Sequence, residues 1–484
     1  MLKKLKKALE QPRTKLLLVL FLALVLRLYR IDNPIADWHA FRQADTASVT
    51  REYVKAEKID LLRPQYHDLS NIQSGLDNLE GYRMVEFPFI NALLASILRN
   101  FPSLDLVLLS RLSSVFVSLL TIYVLYQLVR EVSDSKLAIL SALVYAILPY
   151  SVYYSRVILP EPYFLFFSTL GLWQFYLFAK TKKWSSYFLS IAGLALAALL
   201  KPFVVFLAPV YLIILWQFRQ NKILLDPRIY LLPVLAFAPM FWWREWIKSF
   251  PSGVPVSDWL FNSVTVVDTA PIRFRPAWFR WLFYERITKL FLGYFGVIFL
   301  FSNLLKKNKD FYFYGAWWLS VLLYFSVIAT GNVMHDYYQN LILPIVAISV
   351  ARGVMILHQL LNRKIATLTV GFIFIFGIFF SAKQVLGYFN INHWEYIQAG
   401  AVVDQLVAKD AIVIAPAMGD TQFLFQANRR GWPIGLEIED KINKGASIYV
   451  STSYDDEARE LEAKYQALAK TADYIIIDLR TEKP

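Results

Sequence analysis

Long apolar runs recur along the chain, and short segments rich in Lys and Arg separate alternate pairs of them. Runs such as Leu106–Val129 and Phe164–Phe178 are almost free of charged side chains. A run of that length crosses the ~30 Å hydrocarbon core of a bilayer as a helix that satisfies its own backbone hydrogen bonds. The pattern therefore predicts an all-α polytopic membrane domain over residues 15–385.

The apolar runs predict about eleven transmembrane helices in this domain. We expect them near 15–31, 106–130, 137–154, 161–179, 184–200, 202–218, 229–247, 289–304, 312–330, 338–358 and 366–385. If the basic N-terminus, 1–14, is cytoplasmic, every short loop with a Lys/Arg cluster falls on the cytoplasmic side, as positive-inside sorting requires. The clusters are Arg130/Lys136, Lys180–Lys183, Arg219/Lys222/Arg228, Lys306–Lys309 and Arg363/Lys364. No small-residue cleavage site follows the first run, which predicts a retained first span.

Three long segments then fall outside the membrane: 32–105, 248–288 and the tail 386–484. The first contains Phe87–Leu98, which is too short to span a bilayer and is expected to form a helix in the interface. In the second, several Trp and Arg side chains suit the lipid headgroup region.

The tail differs in composition, because it is charged and mixed instead of apolar. Its short runs Ala411–Ala415, Ser447–Ser451 and Tyr474–Asp478 predict buried strands, and Asp455–Thr471 predicts an amphipathic helix. We therefore expect a small extracytoplasmic α/β domain. It has no Gly-rich phosphate loop, so no nucleotide is assigned to it.

Composition and charge narrow the function classes. Of the 484 residues, 57% are hydrophobic and 18% charged, which supports a membrane protein. The net charge of +13 is distributed in clusters between the apolar runs, a pattern typical of positive-inside sorting and not of a nucleic-acid partner. The chain has no cysteine, which excludes disulfides and thiol nucleophiles.

Charged side chains at the predicted outer surface are candidates for chemistry, because ionisable groups there are solvated, paired or functional. Asp37, His39, Arg42 and Asp45 follow the first predicted span, and Glu86 precedes the interfacial helix. The alternative is a solvated loop in which Asp45 caps the start of a helix.

A second group lies near later span ends. Glu161 stands between two prolines at the mouth of a predicted helix, where it is either functional or only a capping acid. Arg111, Arg156 and Lys201 are basic groups of the same face, although Arg and Lys side chains also extend to lipid headgroups without further function. The segment His335–Tyr338 precedes the tenth predicted span, and a structural role is the alternative for His335.

These positions, in this order, resemble the polyprenyl-phosphate-dependent glycosyltransferases of the GT-C superfamily. The nearest group is that of the protein O-mannosyltransferases and the aminoarabinose transferase of lipid A. The resemblance covers about residues 10–385. It rests on the acidic first outer loop, Glu86 with Pro88, Arg111 in Ser-Arg-Leu-Ser-Ser, Glu161-Pro162, Lys201-Pro202, His335–Tyr338 and, in the tail, Asn428–Trp432.

The resemblance implies a lipid-linked sugar donor, a site at the outer membrane surface and a first-loop carboxylate as general base. Relatives commonly have an Asp-Glu pair in that loop, which this chain lacks. Asp45 is our preferred base, because we expect it to begin a helix under the loop, and Asp37 is the alternative. Direct attack of an acceptor hydroxyl on the anomeric carbon would invert its configuration.

The remaining candidates receive roles from the same resemblance. We expect the leaving phosphate to be held by cations, and the substrate hydroxyls by acids and aromatic or polar groups. The phosphate-binding candidates are Lys201, Arg156, Arg83 and Arg111. Glu86 and Glu161 are expected to bind hydroxyls or to hold these cations. The substrate-binding candidates are His39, Arg42, His335, Asp336, Tyr337 and Tyr338. No Asp-x-Asp pair is present, so neither a metal nor another cofactor is expected.

Two rival functions remain open: a transporter or flippase of lipid-linked sugars, and a non-catalytic membrane scaffold. A transporter would favour charged residues near the midplane of spans and an internal repeat. The sequence leaves the sugar, the isoprenoid length and the acceptor open; a protein, lipid or glycan acceptor is compatible with it.

Overall fold

The computed structural model describes residues 11–219, 225–261, 271–307 and 309–484. Most of the predicted N-terminal segment, Lys222 of one predicted loop and 262–270 of the second outer loop lie outside these residues. The chain divides into two compact units. The helical unit comprises 1–31, 112–243 and 257–387, and the sheet unit comprises 32–111, 244–256 and 388–484.

The helical unit is built from helices whose positions follow the predicted spans closely in most cases. Its α-helices are Pro12–Arg27, Ser135–Ile147, Pro149–Tyr154, Glu161–Thr181, Trp184–Leu200, Ala208–Arg219, Pro276–Phe279, Val297–Ser302, Phe311–Val327, Ala329–Met334, Leu343–Leu360 and Arg363–Leu386. Two further helices, Leu106–Val132 and Pro227–Trp246, extend across the boundary of the units. Short 3-10 turns occur at Pro202–Leu207, Asp258–Leu260, Ile272–Phe274, Asn303–Leu305, Asp336–Ile342 and Gly387–Phe389, and Arg280–Phe291 is a π-helix.

Some predicted spans are not single helices. The span expected at 137–154 is interrupted at Pro149, whose ring and missing N–H break the helical hydrogen-bond ladder. The span expected at 289–304 consists of the end of the π-helix and of Val297–Ser302. Gly293 and Tyr294, both with positive φ, turn the chain between these two pieces.

Within the described residues, three helices are long and apolar enough to cross a membrane by length and composition: Leu106–Val132, Asp336–Leu360 and Lys364–Leu406. Five shorter apolar helices of 10–17 residues accompany them. The structure thus agrees with a helical membrane domain, whereas the predicted number of eleven spans is not confirmed.

A close helix pair positions one group of candidate side chains. Glu161–Thr181 and Trp184–Leu200 form a hairpin in which a Cβ added at Gly193 would lie 2.9 Å from the backbone nitrogen of Gly171. Small residues allow such backbone contact, as is typical of membrane helices. Because the hairpin folds back on itself, its open end carries Glu161 at the start of one helix and Lys201 after the end of the other.

The sheet unit contains a five-stranded mixed sheet. Its strands are β1 Ile412–Ile414, β2 Arg430–Trp432, β3 Ala446–Ser451, β4 Tyr465–Lys470 and β5 Ile475–Glu482, in the order β2-β1-β3-β5-β4. β1 is parallel to β2 and β3, and β5 is antiparallel to β3 and β4. Alternate residues of β3 enter two different cores, Tyr449 on one face and Ile448 on the other, so both faces of the sheet are covered.

The three predicted strands are present, but the predicted helix 455–471 is only half correct. The helix ends at Lys464 and β4 follows at once. Burial alternates along Tyr465–Lys470, which is the period of a strand at the sheet edge and not of a helix. Pairing with β5 therefore determines the conformation of this segment.

The first outer loop belongs to the same compact unit as the tail, although the sequence pattern predicted it as part of the membrane domain. Its helices are Ala40–Lys55 and the expected amphipathic Phe89–Asn100; those of the tail are Trp394–Leu406, Gln422–Gln426, Ile438–Asn443 and Asp456–Lys464. The backbone of Gly431 in β2 donates to His67 O and accepts from Leu69 N, both at 2.8 Å. A Cβ at Gly431 would lie 1.7 Å from Val413 O, so only glycine fits there.

Candidate functional site

Asp45 lies inside a helix and not at its start, so the prediction that it begins the helix is wrong. Ala40–Lys55 starts five residues earlier, after His39, whose φ of 57° turns the chain into the helix. As the sixth residue of the helix, Asp45 is on a face that is almost wholly buried; the residue itself is 1% exposed. A carboxylate buried in this way requires partners.

Those partners come from two distant parts of the sheet unit. Arg83 Nη2 lies 3.0 Å from Asp45 Oδ2, and Gln73 Nε2 donates to the same oxygen at 3.2 Å. Thr421 Oγ1, in the turn after β1, donates to Asp45 Oδ1 at 2.7 Å. His67 Nε2 approaches Oδ1 at 3.6 Å, which is longer than a hydrogen bond.

These partners keep Asp45 ionised. Burial alone would raise the pKa of Asp45, but the charges of Arg83 and Arg42 hold the pKa well below its usual range. Burial lowers the pKa of His67 to about 4, despite the opposing effect of Asp45, so this imidazole is neutral at pH 7.

A second carboxylate nearby behaves in the opposite way. Burial raises the pKa of Asp68 to about 6, although hydrogen bonds to its carboxylate, including that from the backbone N–H of Ser70 at 2.8 Å, oppose the shift. Tyr66 also donates to Asp68, at 3.3 Å. The two acids differ because Asp45 has a cationic partner, Arg83, and Asp68 is buried without a comparable ion pair among the described residues.

A small pocket opens onto Asp45. Its volume is about 20 Å³, close to the space that one water molecule needs. It is lined by Arg42, Asp45, Thr46, Val49, Pro64, Arg83, Glu86, Pro88 and Asn91. Arg42 and Glu86 form an ion pair at its wall. The pocket therefore combines one buried carboxylate with two guanidinium groups and a second acid, all in the sheet unit.

Asp37, the alternative base, is held differently. Arg111 Nη2 lies 3.1 Å from Asp37 Oδ2, and Gln43 Nε2 donates to Oδ1 at 2.7 Å. Both members of the Asp37–Arg111 pair are essentially inaccessible. Neither lines the pocket at Asp45. His39 is half-buried, with its ring centroid 4.9 Å from that of Trp38.

In the helical unit, Glu161 and Lys201 form a buried ion pair at the open end of the helix hairpin. Lys201 Nζ lies 2.5 Å from Glu161 Oε1, and the two side chains are only 9% and 3% exposed, respectively. The ammonium also lies 4.7 Å from the ring centroid of Tyr338 and 5.4 Å from that of Tyr337. The sequence predicted functional roles for all four residues, and the structure brings them together.

The remaining candidates of the helical unit surround this pair only in part. Tyr154 donates to Asp336 Oδ1 at 2.5 Å, and Arg286 Nη1 lies 3.9 Å from Asp336 Oδ2. Neither Tyr154 nor Arg286 was among the candidates predicted from the sequence. His335 stacks on Tyr337 with ring centroids 5.2 Å apart. Arg156 is fully buried and donates to the carbonyl oxygen of Arg30 at 2.8 Å, an arrangement that anchors backbone.

Sequence reasoning missed three groups around Asp45: Thr421, Gln73 and His67. A weak signal existed for Thr421, since it follows a parallel strand, and ligands commonly bind near the carboxyl ends of such strands. For Gln73 and His67, nothing in the local pattern marked the side chain. The tail motif Asn428–Trp432 proves structural, because Gly431 pairs the first loop with the sheet.

Among the described residues, His, Asp and Glu side chains do not gather in groups of three or more that would hold a metal ion. Metal independence thus stays a prediction.

Part of the chain is similar to a known protein family. Residues 87–243 match the family model of the dolichyl-phosphate-mannose-protein mannosyltransferases. An uncharacterized protein from Aquifex aeolicus (strain VF5) is 28% identical over 219 residues, which are 45% of this chain. The match covers 48% of that relative, so this chain spans about half of its length.

Two solved structures share the fold. ArnT from Cupriavidus metallidurans bound to undecaprenyl phosphate superposes with a TM-score of 0.66 at 12% identity, over 95% of this chain and 97% of ArnT. The Archaeoglobus fulgidus oligosaccharyltransferase in complex with Zn and sulfate gives 0.58 at 12% identity, over 90% and 68% of the two chains. The resemblance predicted from the sequence is thus supported over residues 87–243 by the mannosyltransferase family model, and over most of the chain by the shared fold.

Proposed function

We propose that this chain, which resembles the GT-C glycosyltransferases, is an integral membrane enzyme that transfers a sugar from a polyprenyl-phosphate donor to an acceptor hydroxyl. One observation carries the proposal: a GT-C-like fold holds a buried, ionised carboxylate, Asp45, in a pocket with Arg42 and Arg83. The undecaprenyl phosphate bound to ArnT supports a lipid-phosphate donor.

The proposed reaction is a single displacement with Asp45 as general base. An Asp45 oxygen accepts the proton of the acceptor hydroxyl, and the hydroxyl oxygen attacks the anomeric carbon from the side opposite the phosphate. The bond from this carbon to the phosphate oxygen breaks, and the polyprenyl phosphate leaves with its electron pair. The configuration is therefore inverted. The pocket has space for a group the size of one hydroxyl.

Arg83 is the proposed link between donor binding and base strength. A carboxylate whose pKa is held far below neutral is a weak base, whereas general bases work best near the operating pH. If the donor phosphate attracts Arg83, Asp45 loses the charge that lowers its pKa most. Asp45 then becomes a stronger base only when donor is present, which would limit unproductive chemistry.

Asp37 is the weaker candidate for the base. It is fully buried, and Arg111 and Gln43 already occupy both of its oxygens. We expect this group to orient the first loop instead, with Arg111 as its structural partner. Glu86 would hold Arg42 in the pocket wall.

In the helical unit, Lys201 is the proposed phosphate ligand. In the structure Glu161 neutralises the Lys201 ammonium and holds it in a fixed position. A phosphate would therefore bind an ammonium group that is already oriented. A phosphate competes with Glu161 because it offers more charge and more acceptor oxygens. Tyr337 and Tyr338, whose rings lie beside the ammonium, would fix its position.

The proposal is tested by incubating purified protein with radiolabelled polyprenyl-phosphate sugars and a membrane extract. Asp45→Asn should lower kcat by about 10²–10⁴-fold, the usual contribution of a general base. Asp455→Asn is the matched control, because Asp455 caps a helix of the tail and Asn caps equally well. Transfer undiminished in Asp45→Asn but lost in Asp37→Asn would exchange the two roles. Lipid movement without any labelled product would favour a transporter.

Metal independence is part of the same proposal. The Archaeoglobus relative was solved with zinc, whereas the described residues here provide no cluster of metal-ligand side chains. Transfer should persist in excess EDTA, and restoration of lost activity by a divalent cation would contradict this.

The proposal includes a membrane topology with eleven spans, a cytoplasmic N-terminus and an extracytoplasmic tail. The distribution of Lys and Arg supports this topology. Because the chain has no cysteine, single cysteines can report sidedness. With an impermeant maleimide applied to whole cells, Asp473→Cys in the tail should react and Lys364→Cys should not. The reverse pattern would invert the topology.

A further inference from the structure

A large apolar pocket lies in the helical unit, among groups that the proposed reaction does not use. Its volume is about 420 Å³. Side chains of the π-helix and of the helices Val297–Ser302, Phe311–Val327 and Leu343–Leu360 form its wall. The lining is almost entirely aliphatic and aromatic, with one charged group, Arg352.

Arg352 has hydrogen-bonding capacity that the described residues do not use. Its side chain is 6% exposed, and Nη1 lies 3.1 Å from Asp310 Oδ1. Its Nε and Nη2 have no hydrogen-bond partner among the residues the structure describes. Asp310 in turn accepts from Ser133, which is 2.8 Å from the Tyr314 hydroxyl. This network orients the guanidinium and leaves two donors at the pocket.

The other polar side chains of the pocket wall are already satisfied. Trp318 donates to Ser349 Oγ at 3.0 Å, Asn303 donates to Ser349 O at 2.8 Å, and Thr288 donates to Phe283 O at 2.8 Å. Arg352 is therefore the group that would select an occupant. A buried guanidinium with open donors calls for an anionic oxygen, and the apolar wall calls for a hydrocarbon chain.

We propose that this pocket binds an anionic glycerophospholipid, with one acyl chain in the pocket and the phosphate at Arg352. The pocket volume of about 420 Å³ suits one acyl chain and not the whole of a long polyprenyl chain. Lys306 and Lys307, both exposed, follow the lining residues Asn303 and Leu304, and such basic groups attract acidic headgroups.

Two glycines allow a matched test that leaves the charges untouched. Gly315 lines the pocket, and a Cβ there would meet nothing within 4 Å, so Gly315→Leu would fill pocket space without a clash at Cβ. Gly371 also has open space around a Cβ but does not line the pocket, which makes Gly371→Leu the control. Arg352→Met combined with Asp310→Asn removes the headgroup ligand without leaving Asp310 as an unpaired charge.

The experiment is native mass spectrometry of the purified full-length protein, titrated with phosphatidylglycerol, phosphatidylcholine or undecaprenyl phosphate. We expect phosphatidylglycerol to bind more tightly than phosphatidylcholine, because the quaternary ammonium of phosphatidylcholine cancels the charge of its phosphate and is repelled by Lys306 and Lys307. Gly315→Leu should abolish tight binding and Gly371→Leu should not. The Arg352 double variant should bind phosphatidylglycerol about ten- to hundredfold more weakly, because it loses hydrogen bonds to a charged group.

Three outcomes would overturn the proposal. Equal binding by the Gly315→Leu and Gly371→Leu proteins would show that lipid binds elsewhere. Equal affinity for the two phospholipids would show that the pocket does not select an anionic headgroup. Tight binding of undecaprenyl phosphate that Gly315→Leu abolishes and Gly371→Leu leaves intact would replace the phospholipid by a polyprenyl ligand. None of these measurements uses sugar transfer, so the result is independent of the proposed enzyme function.

Discussion

Replacement of Thr421 tests whether the tail supports the carboxylate of the first loop. Thr421→Val keeps the side-chain shape and removes the hydroxyl that donates to Asp45 at 2.7 Å. Both residues are buried, at 2% and 1% exposure. A hydrogen bond to a charged group is worth about 1.5–3 kcal/mol, so the variant should lose about that much free energy of unfolding.

A double-mutant cycle assigns this loss to the pair. Asp45→Ala removes the acceptor of this hydrogen bond. In that background Thr421→Val no longer breaks a hydrogen bond to a charged group, so the cycle should give a coupling energy of about 1.5–3 kcal/mol. Thr421→Ser retains the donor and should stay within about 0.5 kcal/mol of the wild-type protein. The assay is urea unfolding of the detergent-purified protein, followed by tryptophan fluorescence.

Additive effects of the two substitutions, within about 0.5 kcal/mol, would refute the reasoning. Thr421 would then be an ordinary buried hydroxyl. Under the proposed function the same variant also has a kinetic consequence, because loss of a hydrogen bond to the charged form raises the pKa of Asp45. The acid limb of the transfer rate should move to higher pH, whereas the control Thr471→Val, on the tail surface, should leave it unchanged.

Three further predictions concern other buried groups. In the folded protein the pKa of Asp68 is about 6, above its usual 3.8, so the stability that it contributes is complete below pH 3.8 and is lost as pH rises through 6. Relative to the Asp68→Asn variant, the wild-type protein should therefore lose up to ~3 kcal/mol of unfolding free energy between pH 4 and pH 7.5. A constant difference between the two proteins would contradict this. Lys201→Met should cost about 3–5 kcal/mol in thermal or chemical unfolding, since it strands Glu161, and addition of Glu161→Gln should recover most of the loss. Gly431→Ala should destabilise the sheet unit by ~1–3 kcal/mol or more, because its Cβ would collide with Val413 O; an unchanged unfolding midpoint would show that the strands can separate at no cost.

Much of the fold was predictable because it depends on local patterns. Apolar runs predicted helices such as Trp184–Leu200 at the residues where they occur, and short β-branched runs predicted β1, β3 and β5. Prediction failed where a contact outside the segment decided the outcome. β4 is a strand because it pairs with β5, and Asp45 is mid-helix because the chain turns at His39.

The site divides in the same way. Residue chemistry and order in the sequence indicated Asp45, Arg83 and Glu86, and also the Glu161–Lys201 pair, whose members meet because one helix hairpin carries both. The charge of Arg352 within an apolar helix was also visible in the sequence, although Arg352 was not among the predicted candidates. The pocket beside Arg352 could not be seen in the sequence.

The sequence by itself determined the membrane character and the position of most helices, and it indicated the candidate residues for chemistry, since hydrophobic periodicity and residue identity act within a few turns of chain. Only the tertiary structure decided which side chains surround Asp45. Thr421 is 376 positions away in the chain, and it reaches the carboxylate because the first loop pairs with β2 at Gly431. Long-range backbone pairing leaves no local pattern in either partner, and that is why it could not be deduced from the chain alone.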